Sequence, residues 1–185
     1  MVEAAGPPVL RSSEEGSFSA LVRAITFQQL AGRAATAIHG RFVANFAVEM
    51  TPRDVLDLPD TTFRAAGLSA SKTASIRDLA AKVMDGTVPL DRLEAYDDEE
   101  IIERLSEVRG IGRWTAEMFL IFQLGRKDVW PVEDFGVRKG YAALHGLPEL
   151  PKPRALQELG EIYRPWRTVA AWYCWQAAET VVPQA

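Results

Sequence analysis

The chain has 185 residues, 48% hydrophobic and 25% charged, a formal net charge of −4 and a pI near 5.3. That length suffices for one sizeable core or for two small lobes sharing one, and no apolar run approaches the roughly 20 residues needed to span a bilayer. One cysteine, Cys174, excludes an internal disulfide and a cysteine-held zinc or iron–sulfur cluster, while two histidines, His39 and His145, are too few for a histidine metal site without carboxylates.

The opening stretch MVEAAGPPVLRSSEEG lacks a charged-then-apolar signal pattern, so a cytoplasmic protein is expected. Read alone, the acidic balance argues against a phosphate-binding face. The sign is uneven, however. Acid gathers in EAYDDEEIIER, whereas RGIGRW, GRK, VRKG and RPWR gather base, and a net figure does not decide what one face carries.

In FSALVRAITFQQLAGRAATAIHGRFVANF, apolar residues recur at three- and four-residue steps, which predicts two helices broken at Gly32. TPRDVLDL offers Thr51 as N-cap and Pro52 at the first helical position. PDTTFRAAG predicts another short helix, with Asp60 as cap and Gly67 as stop. SASKTASIRDLAAKVMDG places Ile76, Leu79, Ala80 and Val83 on one stripe and ends at Gly86. DDEEIIERLSEV begins with acids where the helix dipole favours them. Further helices are predicted in RWTAEMFLIF, VEDFGVRKGYAALHG, RALQELGEIY and PWRTVAAWYCWQAAETV. No run alternates long enough to predict a strand, and there is no fixed-period repeat. The expected class is all-α: a single unit over 1–185 with two lobes, one of middle helices (50–130) and one of N- and C-terminal helices (1–49 plus 131–185).

The tightest connection is VRGIGRW. Gly110 and Gly112 permit positive φ or close backbone approach, and Ile111 between them is expected to point inward. Small residues there would leave the amides of the next helix open to a phosphate. Alone, the same pattern reads equally as a plain αα turn with a glycine cap. Asp134, read alone, caps the helix that follows it, and Trp166, Trp172 and Trp175, near helical spacing, read alone as core.

In context, LSEVRGIGRWTAEMFLIFQLGRKDVWPVEDFGVRKG resembles the helix-hairpin-helix, Gly/Pro-rich loop and aspartate of a superfamily of DNA glycosylases. Within it the chain most resembles the bacterial alkylation-repair branch, the AlkA-type 3-methyladenine DNA glycosylases. FSALVRAITFQQLAGRAATAI, FRAAGLSASKTASIRDLA and YRPWRTVAAWYCW extend the resemblance in order over most of the chain. The compact two-lobe helical form of the family, without an N-terminal β-rich lobe, is expected.

The resemblance implies roles residue by residue. Asp134, rather than its neighbour Glu133, is the implied catalytic group: breaking an N-glycosidic bond builds positive charge on the sugar, which a carboxylate stabilises while orienting a water. The amides near Gly110, Ile111 and Gly112 are implied to hold a phosphate. Arg113, Arg138 and Lys139, and more weakly Lys72, are further phosphate candidates, although each also reads as a solvated surface charge. Main-chain carbonyls of Ser106, Val108 and Ile111 match a family site for a monovalent cation, so a structural Na+ or K+ is expected there and no required cofactor. Members that also cut the backbone carry a Schiff-base lysine where this chain has Trp114, so base release without strand cleavage is expected.

Such chemistry requires the nucleotide to be flipped out of the duplex. Gln29 matches the family's gap-filling wedge, flanked by Gln28 and Leu30, and is polar where a well-known relative is apolar. Trp114, Met118, Phe135, Trp175 and Phe27 are the implied pocket walls, where a cationic base can stack on electron-rich rings. Met118 and Phe135 stand where relatives have Tyr, and Trp114 also reads as a core residue. The expected function is excision of 3-methyladenine-type alkylated purines from double-stranded DNA by a monomer in base excision repair, associated with the nucleoid and with no membrane partner. Hypoxanthine, an etheno adduct or 1-methyladenine is the alternative base, and a non-catalytic helix-hairpin-helix module the alternative class.

Overall fold

The computed structural model describes residues 6–8 and 15–180, and every regular element among them is helical. In chain order the helices are α1 (Ser17–Phe27), α2 (Gly32–Val43), α3 (Pro52–Asp57), α4 (Asp60–Ala66), α5 (Ala70–Met84), α6 (Asp98–Ser106), α7 (Arg113–Phe122), α8 (Phe135–His145), α9 (Pro153–Leu159) and α10 (Arg167–Thr180), with 3-10 turns at Leu93–Ala95 and Glu161–Tyr163. Most of MVEAAGPPVLRSSEEG, on which the signal-peptide reading rests, lies outside the described residues. No helix among the described residues is long and apolar enough to cross a membrane.

Local chemistry sets several helix ends. Thr51 and Asp97 each close a capping box, with Asp54 and Glu100 returning the bond. Gly67 ends α4 in the left-handed conformation at φ 97°. Two expected signals act differently. Asp60 is the first residue of α4 rather than its cap, and its carboxylate takes Arg77 Nη2 at 2.9 Å instead. Gly32 begins α2, and the break occupies the residues before it.

The chain divides into two compact units, Glu14–Phe119 and Leu120–Ala185 with Met1–Ser13. This departs from the expected lobes of 50–130 and 1–49 plus 131–185. The reason is packing: α1 lies against α2 and α5, and α2 against α4. Leu21, Val22 and Ile25 of α1 and Ile76 and Leu79 of α5 are fully buried, and the Phe42 ring of α2 lies 5.1 Å from that of Phe63 in α4. The apolar faces of the first two helices thus belong with the middle helices.

In the other unit, α8 packs along α10 around a core of Trp130, Val137, Tyr141, Leu156, Ala171 and Cys174. The approach is very close at Gly140, where a methyl group would fall 1.7 Å from the Cys174 carbonyl oxygen. Burial pushes the Cys174 thiol up to about 12, so it behaves as a small apolar residue.

Candidate active site

In the first unit, α6 leads into the hairpin and α7 out of it. Gly110 takes φ 80°, the Ile111 amide donates to the Val108 carbonyl at 3.0 Å, and the Gly112 carbonyl accepts the Ala116 amide at 3.1 Å to start α7. Val108 and Ile111 are buried, so the isoleucine pins the turn as its sequence setting suggests. The hairpin rests on α5. A methyl group at Gly110 would meet Ser75 Oγ at 2.8 Å, and the Arg109 amide donates to Asp78 Oδ2 at 2.7 Å. Burial alone would raise the Asp78 carboxyl, but hydrogen bonds from the Arg109 amide and Lys82 outweigh it and hold it below the usual range.

Arg113 points its guanidinium at Glu99 of α6 through two bonds, 3.0 and 2.5 Å, with Glu117 at 3.8 Å. A phosphate would compete with Glu99 for it. Trp114 is 44% exposed at the start of α7, and Met118, one turn on, is half-buried. Phe27 is half-buried, with the Arg23 guanidinium 4.7 Å above its ring and His39 edge-on at 6.1 Å. Burial, then the Arg23 charge, lowers the His39 imidazole below its ordinary range.

The turn after α1 holds Gln28, Gln29 and Leu30, the last two exposed. Gln29 has φ 55°, the one positive φ at a non-glycine among the described residues. Such a conformation costs on the order of 1–3 kcal/mol and persists only where the surroundings impose it. Gln28 Nε2 donates to the Gly110 carbonyl at 2.9 Å, and Lys72 Nζ donates to the carbonyls of Thr26 and Gln28 at 2.6 and 2.9 Å. Lys72, expected as a weak phosphate contact, therefore serves the carbonyl end of α1, and burial lowers its ammonium below the usual lysine range.

In the second unit, Asp134 is the N-cap of α8. Its Oδ1 accepts the Val137 amide at 2.8 Å and the Trp175 indole N–H, also at 2.8 Å. The capping role is thus real, and the indole bond adds to it. Trp175 stacks on Phe122, ring centroids 5.6 Å apart, and Phe122 is a residue sequence reading missed. Gly136 makes room for this arrangement: a methyl there would meet Trp175 Cδ1 at 2.8 Å and Asp134 Oδ1 at 3.1 Å. Phe135, beside Asp134, is 65% exposed. Arg138 Nε donates to the Pro151 carbonyl at 2.9 Å and Lys139 Nζ to the Ala178 carbonyl at 3.0 Å, so both expected phosphate contacts have internal partners.

The loop before Asp134 is tied to the start of α10. Asp128 receives Arg167 Nε at 2.8 Å and Nη2 at 3.0 Å, with Arg164 Nη1 at 2.9 Å, while Thr168 Oγ1 accepts the Val129 amide at 3.0 Å. Burial would raise the Asp128 carboxyl, but the Arg167 hydrogen bonds and the two guanidinium charges hold it below the usual carboxylate range. A depressed folded-state value contributes stability above the unfolded value of about 4, lost as pH falls through the folded one. Asp128→Asn should therefore lower the melting temperature most at neutral pH. The gap to wild type should narrow progressively as pH falls below about 4, in melts run across the acid range.

Trp175→Phe should keep the ring on Phe122 but remove the N–H from Asp134. Hydrogen bonds to charged groups are worth about 1.5–3 kcal/mol, so base release should slow roughly 10- to 100-fold, measured in single turnover at saturating enzyme.

Among the described residues no group of three or more His, Cys, Asp or Glu could hold a metal. A monovalent cation would therefore depend on the hairpin carbonyls. That of Val108 already accepts the Ile111 amide, and a carbonyl oxygen has a second lone pair for a cation.

A glycine-bracketed hairpin followed by a helix-capping aspartate places the chain in a known class. Residues 22–165 match the model of the HhH-GPD superfamily base excision DNA repair protein, and the chain belongs to that superfamily. It is 41% identical over 165 residues to DNA-3-methyladenine glycosylase 1 of Schizosaccharomyces pombe, covering 88% of this chain and 72% of that protein. The structure of the Schizosaccharomyces pombe 3-methyladenine DNA glycosylase in complex with abasic DNA superposes with a TM-score of 0.82 at 38% identity, covering 96% of this chain and 89% of that one. A DNA-3-methyladenine glycosidase from Bacillus halodurans gives 0.89 at 38% identity, covering 97% and 82%.

Proposed function

We propose that this chain is a monofunctional DNA glycosylase that hydrolyses the N-glycosidic bond of alkylated purines, 3-methyladenine type foremost, and leaves an abasic site. The observation that carries the reading is the Asp134 carboxylate, fixed by the Val137 amide and the Trp175 indole beside an aromatic stack. The relatives named as 3-methyladenine glycosylases support the same chemistry.

Double-stranded DNA carrying a damaged base is the partner, bound by a monomer at the nucleoid. The hairpin amides of Gly110 and Gly112 hold a phosphate, that of Ile111 being turned to the Val108 carbonyl instead. The Ser106, Val108 and Ile111 carbonyls hold Na+ or K+, and Gln29 fills the gap left by the flipped nucleotide. A methylated purine is already cationic and departs with the bonding electrons without strong acid assistance. Asp134 stabilises the positive sugar that forms, orients the water that adds to its anomeric carbon and takes up the proton that this water loses. Trp114 has no amine with which to form a Schiff base, so the backbone stays intact.

The lesion is tested with randomly methylated duplex DNA beside duplexes carrying hypoxanthine, an ethenoadenine or 1-methyladenine. Release of 3-methyladenine well ahead of the other bases supports the reading. Release of one of the others alone would reassign the substrate, and DNA retention with no base released would leave a binding module.

A further inference from the structure

Resting on the glycosylase reading, we propose that Lys72 is a positioning residue: from α5 it sets the Gln28–Leu30 turn at a fixed offset from the hairpin, so that Gln29 enters the gap left by a flipped nucleotide. Three residues at three-residue steps on α5 carry the two elements. Lys72 holds the carbonyls of Thr26 and Gln28, Ser75 lies under Gly110, and Asp78 accepts the Arg109 amide. Gln28 Nε2 closes the triangle on the Gly110 carbonyl.

The last carbonyls of a helix have no partner within it, and an ammonium with three donors can serve two at once. That matters here because Gln29 follows directly, at φ 55°, in a conformation that nothing in its own side chain favours. With the ammonium gone, the end of α1 can relax and Gln29 can return to an ordinary backbone conformation. Gln29 would then still be present but aimed elsewhere. The hairpin would keep its own contact with Asp78.

The test compares single-turnover base release from randomly methylated DNA as duplex and as single strands, since only the duplex needs a gap filled. Lys72→Met keeps the apolar stem, and Lys72→Arg keeps the donors. The duplex-to-single-strand rate ratio should fall at least tenfold in Lys72→Met and recover to within about threefold of wild type in Lys72→Arg. If Lys72→Met proves too unstable to assay, Gln28→Ala carries the test, with a fall of about threefold or more in the same ratio. Equal losses on both substrates would mean that Lys72 only supports the fold, and an unchanged ratio would likewise overturn the proposal. A wild type that frees no base from either substrate would sink the glycosylase reading, and this proposal with it.

Discussion

Asp134→Asn should lower single-turnover release of methylpurines by roughly 10²- to 10³-fold while leaving the fold and DNA binding in place. The variant separates the two roles the carboxylate plays. Asn caps helices about as well as Asp, and its side-chain oxygen can still accept the Val137 amide and the Trp175 indole that reach Asp134 Oδ1. The melting temperature should therefore move by only about 1–2 °C, in keeping with a near-neutral cap exchange. DNA affinity should be unchanged or slightly higher, because one negative charge on a protein that binds a polyanion is gone. Only the stabilisation of a positive sugar is lost. Equal release by the two proteins would reduce Asp134 to a helix cap and remove the centre of the proposed mechanism.

Gly140→Ala should damage the molecule in the opposite way, through the fold. The methyl group would sit 1.7 Å from the Cys174 carbonyl, so α8 and α10 must separate. Overpacking of a close core contact costs about 3 kcal/mol at the upper end of the usual range, which for a chain of this size lowers the melting temperature by roughly 6–12 °C. Gly136 and Gly140 lie four residues apart on one face of α8. Moving α10 away at Gly140 therefore also withdraws Trp175 from Asp134, and residual activity should fall more than the folded fraction does. Activity per folded molecule, read alongside calorimetry, checks both parts.

The sequence carried much of this arrangement in local form. Helix ends fixed by Thr51 and Gly67 were readable because the cap chemistry is local, whereas Asp97, read only as one of the first-turn acids, is the N-cap itself. The inward Ile111 was readable from two flanking glycines. What escaped was pairing at a distance. Lys72 sits 44 residues from the Gln28 carbonyl it holds, and Asp128 sits 39 from Arg167, so no local pattern pairs either of them with its partner. Phe122 had a signal that went unused, since it continues the four-residue step from Trp114 and Met118 along α7. The glycine pair in FGVRKG was likewise visible as small residues at helical spacing, but its partner backbone on α10 was not. The division of the chain was misplaced for the same reason: which neighbours α1 and α2 choose depends on contacts that no local pattern contains.

Base excision without strand cleavage is decided by counting products from randomly methylated duplex DNA under single-turnover conditions. Released bases are identified by chromatography and strand breaks are counted before and after alkali. Methylpurines should be released in equal number to alkali-labile sites, with the backbone intact until alkali is added. Strand breaks formed without alkali, or intact DNA retained by the protein with no base released, would contradict the proposed function.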